Sequence, residues 1–141
     1  MKIKLLDENA IMPTQGSDSA AGYDLYSIEN VDIHKNCRAK IRTGIALEME
    51  QGTAGLIWPR SKLANVYGVQ VLAGVVDCDY RGEIMISILN TGQETVEIRK
   101  GDRVAQILFQ LVLNGYKFEV VDQLDETDRG NAGINDTELR R

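Results

Sequence analysis

Apolar side chains recur along this chain mostly at every second position. From Ala39, the odd positions Ile41, Thr43, Ile45, Leu47 and Met49 alternate with Lys40, Arg42, Glu48 and Glu50, which predicts one strand with a wet face. Residues 83–89 are mostly apolar and predict a strand buried on both faces. Further strands are predicted over 2–6, 53–58, 70–76, 95–98, 104–112 and 117–121. Turn signals such as Asn90-Thr91-Gly92, Lys100-Gly101-Asp102 and Asn114-Gly115 recur at the spacing of an all-β sandwich or barrel. One short helix is predicted from Pro59 to Tyr67, where Leu63, Ala64 and Tyr67 follow a proline start. Beyond residue 124 the pattern fails. Residues 125–141 carry only Ala132, Ile134 and Leu139 as apolar side chains, so a β body over 1–124 and a flexible C-terminal arm over 125–141 are expected.

With 141 residues there is room for one ordinary domain. A hydrophobic fraction of 43% with 26% charged residues is that of a folded globular chain rather than a disordered one. The net charge of −5 counts against a nucleic-acid partner, because phosphate-backbone binding rests on clustered positive charge. No window approaches the 18 or so apolar residues of a membrane span, and the first residues lack the apolar region of a signal peptide. Two cysteines, Cys37 and Cys78, and one histidine, His34, are too few for a zinc cage or a disulfide framework. The expectation is a small, acidic, soluble, cytoplasmic domain.

Five segments could carry chemistry. Gly74-Val75-Val76-Asp77-Cys78-Asp79-Tyr80-Arg81-Gly82 lies between two apolar runs and reads as a hairpin crown. Backbone groups that the strand ladder leaves free there can read the edge of a planar base, although a solvated turn capped by Asp has the same pattern. Trp58-Pro59-Arg60-Ser61-Lys62 runs from a strand into a helix start, where free N–H groups, a guanidinium, a hydroxyl and an ammonium suit phosphate. Simple N-capping by Ser61 fits equally well. Asp24, in Ala20-Ala21-Gly22-Tyr23-Asp24-Leu25-Tyr26-Ser27, follows small residues that allow close approach, as would a turn leading into a strand. Gln106 is the one amide in the apolar run after Lys100-Gly101-Asp102-Arg103, placed either to satisfy a neighbouring backbone group or to donate to a phosphate. Arg129-Gly130-Asn131-Ala132-Gly133 puts an arginine among flexible glycines in the arm.

Together and in this order, AAGYDLYS, PRSKLA, GVVDCDYRGEI, KGDRVAQILF and RGNAG resemble the motif set of the trimeric dUTPases across about 120 residues. The resemblance implies a jelly-roll-like β domain with one short helix, assembled as a homotrimer whose active sites are shared between subunits. It implies Mg²⁺-dependent hydrolysis of dUTP to dUMP and pyrophosphate. Asp77 matches the acid that activates water for attack on the α-phosphorus. Tyr80 matches the residue that packs on deoxyribose and leaves no space for a 2′-hydroxyl. Gly74, Val75 and Val76 match the backbone that pairs with uracil, and Met85 a base-side contact. Arg60, Ser61 and Gln106 match phosphate-side residues, and Arg129 the arm residue that reaches the terminal phosphate. Asp24 resembles the acid that steadies water around magnesium, the metal being held mainly by the triphosphate.

The chain departs from that pattern in three places. Lys62 stands where glycine is usual and would add positive charge; Val71 stands where bacterial members usually have asparagine. The arm continues with Ile134, Asn135, Asp136 and Thr137 instead of an aromatic, Gly and Ser, so Ile134 would cover uracil without stacking on it. The altered arm motivates an alternative, a dUTP-sensing regulatory protein on the same fold, against which the retained Asp77 argues. A dCTP deaminase is a third reading, but no glutamate precedes Asp77 in the crown to shuttle its proton.

Overall fold

The structure, a computed structural model, describes residues 1–132. Its elements in chain order are β1 (Lys2–Leu5), β2 (Tyr23–Tyr26), β3 (Val31–Ile33), β4 (Arg38–Arg42), β5 (Ile45–Glu48), β6 (Thr53–Trp58), α1 (Ser61–Tyr67), β7 (Val69–Leu72), β8 (Val75–Asp77), β9 (Met85–Asn90), β10 (Val96–Ile98) and β11 (Arg103–Leu111). The strands pair antiparallel into a four-stranded sheet, β2-β11-β6-β8, a three-stranded sheet, β4-β9-β7, and the pairs β1-β5 and β10-β3. The core joins the two larger sheets. Leu25, Ile57, Val104 and Ile107 come from the first, and Ile41, Val69, Ile86 and Ile88 from the second. Among the described residues, no helix is long and apolar enough to cross a membrane.

Two predicted runs prove to be divided, for one reason. An alternating run shows which face is apolar but not which neighbour it pairs with. The run predicted as one strand from Ala39 to Met49 breaks at Thr43 and Gly44, because β4 pairs with β9 while β5 pairs with β1. Gly44 makes that corner with φ of 68°, and a Cβ there would lie 2.9 Å from the Ala10 Cβ. The run 70–76 likewise divides, at Ala73 (φ 51°) and Gly74, into β7 and β8, which belong to different sheets. β9 starts at Met85 rather than Glu83 and alternates between buried Ile86, Ile88 and Asn90 and less buried Met85, Ser87 and Leu89.

Residues 117–121 form no strand; Phe118 and Val120 are 97% and 98% exposed. The short strands β2 and β3, of four and three residues, lie outside the predicted runs. Helix α1 begins two residues later than predicted. Arg60 is its N-cap and makes no side-chain capping bond, so Ser61 is the first helical residue and Pro59 lies ahead of the cap. Gly68 ends the helix with φ of 69°, its N–H donating to the Ala64 carbonyl at 3.1 Å.

The Gly44 corner supplies a direct test of this account. Gly44→Ala places an L side chain in left-handed backbone against Ala10 and Asp7, and should cost about 2 kcal/mol or more. Urea denaturation should show a lowered midpoint with an unchanged slope.

Candidate functional site

The site residues fall into two groups along β6. The first is a cleft of about 240 Å³ whose lining includes Asp24, Arg60, Ser61, Lys62, Arg103 and Gln106. Strand register puts them together: on β11, Gln106 lies opposite Asp24 of β2 on one side and Trp58 of β6 on the other. Past Trp58 the chain turns through Pro59 into the Arg60 cap, so the motif around Arg60 ends beside Gln106. The Gln106 amide donates to the Pro59 carbonyl at 3.1 Å, and its side chain occupies the space above Gly22, where a Cβ would lie 2.8 Å from Oε1. Gln106 thus does what the structural alternative asked of it, and it still faces the cleft.

Asp24 is buried, 8% exposed, and both of its oxygens are engaged. Oδ1 accepts from Arg60 Nε at 2.8 Å and Oδ2 from Arg103 Nη1 at 3.2 Å. One carboxylate therefore holds two guanidiniums side by side, and with Lys62 the cleft has three cations against one acid. In a chain of net charge −5 that is a local positive field suited to a polyanion.

Arg103 was not singled out from the sequence, although it stands in the KGDRVAQ segment. Strict alternation would put positions 103 and 106 on opposite faces. The register shifts between Arg103 and Ala105, a bulge that leaves Val104 and Ala105 both buried and turns Arg103 to the same side as Gln106. Two consecutive buried residues in an alternating strand are the only hint, and a sequence does not display burial.

The second group surrounds a cavity of about 430 Å³ lined by Val75, Val76, Asp77, Tyr80, Glu83 and Met85, among others. The crown is a turn closed by Tyr80 N–H donating to the Asp77 carbonyl at 3.1 Å, and Arg81 Nη1 caps the carbonyls of Cys78 and Tyr80 at 2.7 and 3.1 Å. β8 is the outer strand of its sheet. The Gly74 carbonyl accepts from the Ile57 N–H at 2.6 Å, so strand alternation turns the Val75 N–H and C=O outward, to the open edge. Gly74 must be glycine, since a Cβ would lie 2.7 Å from the Ile57 carbonyl oxygen. Asp77, opposite Ala54 in register, is exposed at the end of this edge.

The two groups share no lining residue. Asp77 pairs with Ala54, and the phosphate-side residues follow Trp58, so about 13 Å of strand and a further turn separate them. Arg129 joins neither: it is exposed, and its Nε donates to the Ala132 carbonyl at 3.1 Å. Ile134 lies outside the described residues. Among the described residues no group of three or more His, Cys, Asp or Glu side chains could hold a metal ion. Each Asp24 oxygen keeps lone pairs beyond the one its arginine engages.

The sequence model of the dUTPase family matches residues 8–138. The deoxyuridine 5′-triphosphate nucleotidohydrolase of Paramecium bursaria Chlorella virus 1 is 43% identical over 96% of this chain and 95% of its own length. The enzyme of the same name from Saccharomyces cerevisiae is 41% identical over 97% of this chain and 93% of its own. The dUTPase of Staphylococcus bacteriophage 80alpha, solved with dUpNHpp, shares the fold with a TM-score of 0.91 at 24% identity over 98% of both chains. A dUTPase from phage phi11 of S. aureus, which coordinates a structural Mg(II) ion, has a TM-score of 0.80 at 25% identity over 86% of this chain and 96% of its own. By its sequence, over nearly its whole length, the chain belongs to the dUTPase family.

Proposed function

We propose that this protein hydrolyses dUTP to dUMP and pyrophosphate, in an active site assembled between copies of the chain. The observation that carries the shared site is the separation of the two groups. The exposed acid Asp77 lies beside Ala54 near the start of β6, and the cationic cleft follows Trp58 at its end. A triphosphate lying among Arg60, Ser61, Lys62, Arg103 and Gln106 cannot also meet Asp77 of the same chain. It can meet Asp77 of a second copy, and the homotrimer implied by the family resemblance supplies one.

In this reading uracil pairs with the outward N–H and C=O of Val75, in the space beside Gly74 and Val76, with Met85 flanking it. Tyr80 covers the deoxyribose and fills the space a 2′-hydroxyl would need. Asp77 takes a proton from a water aligned on the α-phosphorus, the Pα–O bond to the β-phosphate breaks, and pyrophosphate leaves. The guanidiniums of Arg60 and Arg103 take up the charge that moves onto the leaving oxygens, already oriented by Asp24. Magnesium, bound chiefly by the triphosphate, would supply further neutralisation, with Asp24 touching it through water. The arm over 125–141, with Arg129 and Ile134, closes over the nucleotide and excludes bulk water. A cytoplasmic location rests on the family alone.

The dUTP-sensing alternative uses the same binding residues and needs no base. Asp77→Asn separates the two readings. The amide keeps the shape and loses the proton acceptor, so kcat should fall by about 10²-fold or more while dUTP binding persists. Wild-type turnover in that variant would remove Asp77 from the chemistry.

Mixing tests the shared site. Asp77→Asn and Arg60→Ala proteins, each inactive alone, should regain activity when unfolded together and refolded as mixed trimers. Random assembly leaves about a quarter of the sites with both residues intact, so roughly that fraction of wild-type activity should return. No recovery in trimers shown by mass spectrometry to be mixed would place both residues in a site within one chain.

A further inference from the structure

We propose that Glu83, locked by Arg42, is a positioning residue for sugar selection: it fixes the ring of Tyr80 against the hairpin and so sets the discrimination between deoxyribo- and ribonucleotide. The inference rests on the reading of Tyr80 as the group that fills the 2′ position. Tyr80 lies at the mouth of the cavity, 48% exposed, and solvent would let such a ring swing freely. Two neighbours on its own chain prevent this. Its hydroxyl donates to the Glu83 carbonyl at 3.2 Å. The hydroxyl end of the ring also packs closely against Gly82, where a Cβ would fall 2.3 Å from the hydroxyl oxygen and 2.5 Å from Cζ.

A carbonyl can anchor a side chain only if its own peptide is held. Glu83 is held by the corner between β4 and β5. Its carboxylate accepts from Arg42 Nε at 3.2 and 3.1 Å and from the Gly44 N–H at 2.8 Å. The next residue is clamped by the same corner: the Ile84 N–H donates to the Ile45 carbonyl at 2.8 Å, and the Thr43 hydroxyl donates to the Ile84 carbonyl. Arg42 is braced in turn, its backbone N–H donating to Glu29 at 2.8 Å and its guanidinium lying 3.8 Å from Asp7. The Glu83 side chain is 18% exposed, and pairing with Arg42 keeps an acid beside a nucleotide cavity from repelling an anionic ligand. These contacts form a chain from the Gly44 corner to the face of Tyr80.

The test is the ratio of kcat/KM for dUTP to that for UTP, measured in the full-length protein for the wild type and for Tyr80→Ala, Glu83→Ala, Glu83→Gln and Arg42→Met. Glu83→Ala and Arg42→Met should lower the ratio roughly 3- to 10-fold, the scale of one hydrogen-bonding contact, mainly by admitting UTP. Glu83→Gln keeps acceptors for Gly44 and Arg42 and should retain most of the selectivity. Tyr80→Ala should lose more than any of them. If Tyr80→Ala loses selectivity while folded Glu83→Ala and Arg42→Met keep the wild-type ratio, the positioning role is overturned and the reading of Tyr80 stands. An unchanged ratio in Tyr80→Ala overturns both. Equal losses toward dUTP and UTP in the Glu83 and Arg42 variants mean general support of the hairpin and also overturn the proposal. Should Glu83→Ala fail to fold, Arg42→Met, whose side chain is 42% exposed, decides the question.

Discussion

The register of β11 is the constraint on which the anion cleft depends. This nine-residue strand pairs on one side with β2 and on the other with β6, and it meets both neighbours at Gln106. Because side chains alternate, a slip of one residue would turn Gln106 into the core and Ile107 out of it. The buried Val104, Ala105 and Ile107 forbid that slip. Packing therefore sets the register, and the register sets the site. The bulge at Arg103 then brings a second guanidinium to Asp24 without disturbing the ladder from Gln106 onward.

The hairpin depends on a different kind of support. A short edge strand and its crown have little core of their own, since Val75 is 67% exposed and Tyr80 nearly half. What holds them is polar: the grip of the β4–β5 corner on Glu83 and Ile84, the arginine cap on the crown carbonyls, and the close backbone approach at Gly74. An edge strand held this way can keep its outer N–H and C=O groups open for a ligand and still be rigid. The cost is that the acid and the cationic cleft stand at opposite ends of β6. Each half stands on a firm base of its own, and in the proposed reading their union falls to a second copy.

The sequence displayed the motifs and most strands, because both depend on local order: which residue types adjoin, and with what period. It did not display strand partnership. The run 39–49 alternates without a break and the run 70–76 is apolar or glycine after Gln70, yet each serves two sheets, and the corners fall at Gly44 and Ala73-Gly74 without interrupting the pattern. Arg103 was hidden for a related reason, since a bulge alters facing without altering composition. Residues 117–121 show the converse. Their alternation is as good as that of a real strand, but they pair with no other strand, which leaves Phe118 and Val120 in solvent.

Asp24 carries the last step of the synthesis. Three cations in one cleft repel one another, and a cleft with no acid would hold its guanidiniums splayed toward water. Asp24 takes one hydrogen bond from each arginine, so both forks are oriented before any anion arrives, and little side-chain entropy remains to be lost on binding. The same carboxylate lowers the net charge of the cleft, so what distinguishes it is the placement of Arg60, Arg103, Lys62 and Gln106 around one opening rather than the sum of its charge.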